Sequence, residues 1–197
     1  MTKSVDFYYD FGSPAAYLAW TQIARICAEQ GATLVYKPFL LGAVFKATGN
    51  ASPVTIPAKA KFMFADLNRW AKHWGVPLTI NPFFPFNGLE LMRAAAGMQL
   101  REPRRFEDFN RAIYTAMWVD AQDFSKPQVV AGVLQRAGFD PAAMMVLAAS
   151  DEAKAALRAN TDEALARGAF GAPTFVVNGQ LYWGQDRLFM VEQALAA

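Results

Sequence analysis

The 197-residue sequence predicts an α/β fold in which an all-helical insertion interrupts one small β-sheet. Two observations lead to this prediction. Strand-like runs occur only near the two ends of the chain, in the orders β-α-β and β-β-α, whereas the middle has helical or loop patterning. Because each terminal unit needs strand neighbours, we expect the two to form a single mixed sheet. The predicted domains are therefore 1–41 with 169–197, and an inserted helical domain over 42–168.

The N-terminal unit is predicted from a strand over 5–11, a helix over 15–30 and a second strand over 33–39. Gly12-Ser13-Pro14 separates the first strand from the helix. Serine is a favoured N-cap, and proline suits the first helical position because its missing N–H is not needed there. A helix of this length can connect two parallel strands.

The remaining segments predict helices until the chain nears its end. The predicted helices are 42–50, 58–74, 89–100, 102–117, 126–137, 141–149 and 150–167, with an irregular connector over 77–88. Strands over 174–177 and 181–183 flank Asn178-Gly179, a strong hairpin signal. A closing helix is predicted over 186–197.

Composition excludes several classes of function. Nineteen basic and seventeen acidic residues leave a formal charge of +2, too balanced for a nucleic-acid or membrane-surface partner. Cys27 is the only cysteine, which rules out an intrachain disulfide, a dithiol redox cycle and a zinc site with two cysteine ligands. No apolar run reaches the roughly 18 residues of a membrane span, and no apolar signal region precedes the first strand, so we expect a cytoplasmic protein.

Ser13 is the first candidate functional residue, and three interpretations of it are open. Its hydroxyl lies at the positive end of a predicted helix, which suits an anion, including a thiolate supplied by a cofactor. It could instead act only as the helix cap. A nucleophilic serine would need an adjacent base, but the only histidine, His73, falls near the end of an inserted helix, where we expect a surface or packing residue.

The second candidate is the loop Gly171-Ala172-Pro173-Thr174, which joins the last inserted helix to a buried-looking strand. A proline that opens a strand often marks a turn. A cis peptide would present the backbone groups of Ala172 to a cleft, whereas a trans peptide would make this an ordinary loop. The residues themselves leave both isomers open.

Four stretches resemble, in order, the motifs of one known family. They are residues 10–17 (DFGSPAAY), 40–50 with its continuation at 57–59, 170–175 (FGAPTF) and 183–188 (WGQDRL). The family is that of the 2-hydroxychromene-2-carboxylate isomerases, which group with the kappa-class glutathione transferases and the disulfide oxidoreductase DsbA. The resemblance implies a thioredoxin-like domain with an inserted all-helical domain, and it covers nearly the whole chain.

The resemblance also implies glutathione as the cofactor. Ser13, in the place of a redox cysteine, would hydrogen-bond the glutathione sulfur. The backbone of Ala172, held by a cis Pro173, would pair with the peptide part of glutathione. Gln185 and Asp186 would receive the γ-glutamyl end, and Asp186 could pair with the ammonium.

Four further positions follow from the same resemblance. Asn50 and Lys59 match glutathione-binding positions of the kappa-class relatives, and Lys59 could face either the glycyl carboxylate or a substrate carboxylate. Asn87 and Arg93 are expected to border a small aromatic carboxylate substrate. The family implies a homodimer and no metal.

Three functions remain open at this point. The similarity favours a glutathione-dependent cis–trans isomerase of 2-hydroxychromene-2-carboxylate in aromatic hydrocarbon catabolism. A kappa-type glutathione transferase or peroxidase of broader range would share the same glutathione site. A thioredoxin-fold binding protein that lost catalysis with its cysteines would have no affinity for glutathione.

Overall fold

A computed structural model describes residues 3–197 of the protein. Its strands and helices follow the predicted order. They are β1 Ser4–Tyr9, α1 Pro14–Glu29, β2 Thr33–Pro38, α2 Leu41–Thr48, α3 Pro57–Trp74, α4 Leu89–Arg101, α5 Phe106–Trp118, α6 Pro127–Arg136, α7 Pro141–Ala149, α8 Asp151–Ala166, β3 Thr174–Val177, β4 Gln180–Trp183 and α9 Leu188–Ala196, with short 3₁₀ turns at Pro53–Thr55 and Gln185–Arg187. Within residues 3–197, none of the helices is both long and apolar enough to cross a bilayer.

The two terminal units form one mixed sheet, which confirms the predicted fold class. The strand order is β2-β1-β3-β4. β1 runs parallel to β2 and antiparallel to β3, and β3 pairs with β4 in an antiparallel hairpin. The hairpin turn holds Asn178 and Gly179 at positive φ, as the Asn-Gly pair predicts. The central pair of strands therefore brings together residues from the two ends of the chain.

Each face of the sheet carries its own apolar cluster, because successive side chains of a strand point to opposite sides. Phe7 and Phe175 lie on one face with ring centroids 5.2 Å apart, in a core that continues to Tyr114 and Trp118 of α5. Tyr8 and Val176 lie on the other face, in a smaller cluster with residues of α2 and α8. The inserted helices thus share their apolar packing with both faces of the sheet.

Three predicted boundaries were wrong for local reasons. β1 ends at Tyr9, the last residue that pairs with β2, instead of at Phe11. α5 begins at Phe106 instead of at residue 102, because Pro103 sits in a turn closed by the Arg105 N–H and the Glu102 carbonyl at 2.9 Å. The closing helix starts at Leu188, after the 3₁₀ turn at Gln185–Arg187.

Candidate active site

A cleft of about 1040 Å³ opens between the start of α1 and the inserted helices. One side, which we call the α1 wall, comprises residues 12–15, 170–172 and 183–186. The facing side, the α3 wall, comprises residues from 40–67 and 84–88. Every stretch of the predicted family motifs reaches this cleft, so the fold gathers residues that are far apart in the sequence.

Ser13 lies on the floor of the cleft as the N-cap of α1. Its Oγ accepts a hydrogen bond from the Ala16 N–H at 3.1 Å and donates one to the Ala172 carbonyl at 3.1 Å. The residue is only 5% exposed. Ser13 therefore caps α1. The same hydroxyl also lies at the positive end of this helix, which favours an anion.

The loop beside Ser13 contains a cis peptide between Ala172 and Pro173. The Pro173 carbonyl accepts from the Gly184 N–H at 3.0 Å, and the Thr174 hydroxyl donates to the Gly171 carbonyl at 2.8 Å. Pro173 is itself buried, whereas Ala172 lines the cleft. Within the described chain the Ala172 N–H has no acceptor. This N–H is therefore available to a ligand.

Gln185 and Asp186 form the end of the α1 wall. Gln185 is 7% exposed, and no described residue hydrogen-bonds its side-chain amide. The Asp186 carboxylate pairs with the guanidinium of its neighbour Arg187. Gly184 has φ +98, and a β-carbon there would clash with the Asp186 carboxylate. Glycine at this position thus allows the acidic side chain to fold back beside the cleft.

Asn50 and Lys59 lie on the α3 wall. The Asn50 amide donates to the Phe170 carbonyl at 2.9 Å, and its oxygen accepts from the Ala51 N–H at 2.8 Å. This contact joins the end of α2 to the cis-proline loop across the cleft. Lys59, in the first turn of α3, is exposed. In the part of the chain that the structure covers, Lys59 is the only basic residue of the lining and has no ion-pair partner.

The two predicted substrate residues on the connector and α4 separate in space. Asn87 lines the cleft, and its Oδ1 accepts from the Leu89 N–H at 3.1 Å at the start of α4. Arg93 does not line the cleft; its guanidinium lies 3.5 Å from the Glu90 carboxylate. The fold therefore brings all the predicted side chains to the cleft except Arg93 and the buried Pro173 ring.

Several lining residues were missed by sequence reasoning. Phe62, Met63 and Asp66 share one face of α3 with Lys59, at the i, i+3, i+4, i+7 spacing of a helix. That spacing was visible in the sequence. Phe170 and Trp183 also line the cleft, with ring centroids 5.0 Å apart. Their proximity depends on the pairing of loop and strand, which the sequence pattern does not specify.

Neither the cysteine nor the histidine is part of the cleft. Cys27 lies buried on α1, and burial raises the pKa of its thiol to about 11. His73 is exposed near the end of α3, with its ring 5.7 Å from that of Trp70. Ser13 therefore has no histidine base, and the interpretation as a nucleophilic serine loses its main requirement.

These features define a thioredoxin-type protein in which a serine, paired with a cis-proline loop, stands at the start of the first helix without a redox thiol. The family model for the DsbA-like thioredoxin domain matches residues 4–196. A 2-hydroxychromene-2-carboxylate isomerase from Sphingobium xenophagum is 32% identical over 99% of both chains. The chain therefore belongs to the DsbA-like thioredoxin family, in the branch that holds the 2-hydroxychromene-2-carboxylate isomerases.

Other similar proteins carry three different names. The human protein named glutathione S-transferase kappa 1 is 25% identical, covering 99% of this chain and 92% of its own. A solved structure of a 2-hydroxychromene-2-carboxylate isomerase superposes with a TM-score of 0.84 at 28% identity, covering 98% of this chain and 94% of that one. A probable DsbA oxidoreductase from Streptomyces coelicolor, at 19% identity and a TM-score of 0.75, covers 98% of this chain and 88% of its own, and it shares the fold.

Proposed function

We propose that the protein is a glutathione-dependent cis–trans isomerase of 2-hydroxychromene-2-carboxylate, acting in the breakdown of aromatic hydrocarbons. The observation that carries the proposal is the Ser13 hydroxyl on the cleft floor, at the N-terminus of α1 and 3.1 Å from the Ala172 carbonyl. Relatives named as this isomerase are 30–32% identical over nearly their full lengths. The cytoplasmic location and the homodimer expected from the family belong to the same proposal.

The α1 wall fits the peptide part of glutathione. The Ala172 N–H lacks an acceptor in the described chain, and the amide of Gln185 is likewise free, so both can bond a ligand. Asp186 supplies a carboxylate for the γ-glutamyl ammonium, in addition to its Arg187 partner. On the facing wall, Lys59 can pair with a carboxylate, and Asn50 also lines the cleft.

Ser13 can hold a sulfur anion without losing its place as a cap. Its oxygen can go on accepting from the Ala16 N–H while the O–H turns from the Ala172 carbonyl toward the sulfur. That rotation also frees the Ala172 carbonyl to accept an N–H from the ligand. A helix N-terminus lowers a thiol pKa to about 3.5–7.5, which favours the anion at neutral pH. When bound, glutathione would supply a thiolate that adds reversibly to the conjugated double bond of the substrate, so that this bond can rotate.

The size and lining of the cleft suit an aromatic acid beside the cofactor. Pockets for one drug-sized ligand are about 300–1,000 Å³, and this cleft of about 1040 Å³ lies slightly above that range. Phe62 and Ile56 remain 65% and 47% exposed on the α3 wall, and Phe84 and Phe86 line the same side. An aromatic ring placed there would cover apolar surface that water now contacts.

An absorbance assay of 2-hydroxychromene-2-carboxylate isomerisation, run with and without glutathione, tests the proposal. We expect rapid conversion only in the presence of glutathione. Conversion at the same rate without glutathione would contradict the cofactor role. Glutathione binding with no conversion would contradict the proposed substrate and would favour a different reaction at the same site.

A kappa-type glutathione transferase or peroxidase is the second candidate. Its support is the set of relatives with that name, of which one from Caenorhabditis elegans is 31% identical over 98% of this chain. Conjugation of a general electrophilic aromatic, measured alongside the isomerase assay, separates the two activities. A non-catalytic binding protein would give neither activity, and calorimetry would detect no glutathione binding.

A further inference from the structure

Asp10 is a buried carboxylate at the base of the cleft that the proposed reaction does not use. It follows β1 directly and is 6% exposed, yet it belongs to the cleft lining. Burial raises the pKa of its carboxyl group, and the N–H groups of Leu41 and Gly12 oppose that rise. A charged side chain is costly to bury without partners, so its contacts should indicate a role.

The Asp10 contacts join two segments that are distant in the sequence. Oδ1 accepts from the Gly12 N–H at 2.8 Å, and Oδ2 accepts from the Leu41 N–H at 2.9 Å. The Asp10 backbone carbonyl also accepts from the Ser13 N–H at 3.0 Å. Gly12 and Ser13 form the turn that opens α1, whereas Leu41 is the first residue of α2.

α2 depends on this contact because it lacks a cap of its own. Its N-cap is the apolar Leu40, and no side-chain cap bond is made there. A carboxylate at a helix N-terminus stabilises that helix by accepting its free N–H groups. Asp10 supplies this acceptor from another segment of the chain. Helix α2 contributes Leu41, Gly42 and Phe45 to the cleft and ends two residues before Asn50.

The space around the carboxylate is limited. A β-carbon at Gly12 would lie 3.3 Å from Oδ1, and one at Gly88 would lie 3.7 Å from it. The carboxylate is therefore confined between the Ser13 turn and the start of α4.

We propose that Asp10 is a positioning residue of the glutathione site, which holds the Ser13 turn and α2 as a single unit. This inference rests on the proposed function for its effect on binding, but the positioning itself can be measured without any ligand. Asparagine at this position keeps one oxygen acceptor and replaces the other with an NH₂ group. That NH₂ cannot accept from an N–H, so one of the two carboxylate contacts must be lost.

Thr161 provides a matched control at the same helix start. Its hydroxyl oxygen accepts from the Leu40 N–H at 3.0 Å, one residue before the Asp10 contact, and within the described chain the hydroxyl makes no hydrogen bond to the Ser13 turn. Thr161→Val removes an acceptor from the start of α2 alone. Asp10→Asn removes one of the two carboxylate contacts, so the link between the Ser13 turn and α2 is broken whichever contact is lost.

The test combines amide hydrogen exchange with glutathione titration on wild type and both variants. Asp10→Asn should raise the exchange rates of Gly12 or Ser13, or of Leu41, at least about tenfold and should weaken glutathione binding by about fivefold or more. Thr161→Val should raise exchange at Leu40 while glutathione affinity stays within about twofold of wild type. Unchanged exchange at Gly12, Ser13 and Leu41 in Asp10→Asn would overturn the positioning role, as would equal loss of affinity in the two variants. If wild type itself bound no glutathione, the proposed function would fail, and the exchange rates would still decide whether Asp10 positions the turn.

Discussion

The two walls of the cleft differ in how exposed their side chains are and in what they present to a ligand. The α1 wall presents buried polar groups, with Ser13 and Gln185 at 5% and 7% exposure. The α3 wall presents apolar side chains that stand in solvent, such as Phe62 at 65% exposure. Buried polar groups suit one constant cofactor, whereas exposed apolar side chains suit an aromatic ligand and can be replaced with little loss of stability. We therefore expect substitutions on the α1 wall to weaken cofactor binding and lower turnover, and substitutions on the α3 wall to weaken substrate binding.

Ser13→Ala should have the largest effect. Loss of one donor to a developing or bound anion lowers kcat by about 10²- to 10³-fold in comparable sites. Loss of the cap costs about 1 kcal/mol, or about 2–4 °C in Tm for a chain of this size. Steady-state kinetics and thermal unfolding should therefore diverge, with a large loss of turnover and a small loss of stability.

Ser150→Ala is the control for that prediction. Ser150 caps α8 with the same pair of contacts, accepting from the Ala153 N–H at 3.2 Å and donating to the Leu147 carbonyl at 2.8 Å. It lies outside the cleft lining, so its alanine variant should lose similar stability and keep full activity. Equal turnover in Ser13→Ala and Ser150→Ala would mean that Ser13 acts only as a cap.

Asp186→Ala should weaken glutathione binding without changing the fold. A charge-assisted contact contributes about 1.5–3 kcal/mol when desolvated. The Asp186 side chain is 37% exposed and already paired with Arg187, so we expect a smaller loss of about three- to tenfold in affinity. Calorimetric titration measures this directly.

Asp108→Ala supplies the comparison for Asp186. Asp108 also pairs with a nearby arginine, Arg111 at 3.5 Å, on a face of α5 away from the cleft. Its removal should leave glutathione affinity unchanged. If Asp186→Ala behaved like Asp108→Ala, the γ-glutamyl end would have to bind elsewhere on the α1 wall.

Phe62→Ala should change substrate KM and leave glutathione affinity as it is. Contact with an aromatic ring contributes about 0.5–1.5 kcal/mol beyond buried area, which corresponds to a rise in KM of roughly two- to tenfold. Because Phe62 is 65% exposed, Tm should hardly move. Phe189, 52% exposed on α9 and outside the lining, is the matched phenylalanine whose alanine variant should keep the wild-type KM. A parallel loss of glutathione affinity in Phe62→Ala would break the division between the two walls.

The sequence predicted those parts of the fold and site that local chemistry determines. Ser13 and Pro14 specify the start of α1 because the cap and the proline act within one turn. Asn178-Gly179 specifies the β3–β4 hairpin for the same reason. The boundary at Phe106 was missed because Pro103 fits both a helix start and a turn, and only the fold around it favours the turn.

The parts that escaped prediction depend on contacts between distant segments. Arg93 is the exception, because its guanidinium pairs with Glu90 one turn away on the same helix and lies outside the cleft lining. Trp183 enters the cleft because β4 pairs with β3 and places the indole against Gly171, where a β-carbon would clash with it. Asp10 was visible as part of a motif, whereas its second partner, Leu41, lies thirty-one residues further on. The contacts of Trp183 and Asp10 with distant residues form only when the folded sheet brings those segments together.

Cys27→Ala should have the smallest effect, and it tests whether the α1 wall works without thiol chemistry of its own. Cys27 is 2% exposed on α1, and burial raises its pKa to about 11, so at pH 7–8 the thiol is almost wholly protonated and unreactive. Turnover in Cys27→Ala should stay within about twofold of wild type, since a buried cysteine of this kind behaves as a small apolar residue. Iodoacetamide at pH 8 should leave the folded protein unmodified and active, and should alkylate the cysteine after denaturation. Inactivation by alkylation of the native protein, or loss of turnover in Cys27→Ala at unchanged Tm, would show that the thiol takes part after all and that Ser13 is not the only group that acts on sulfur at this helix.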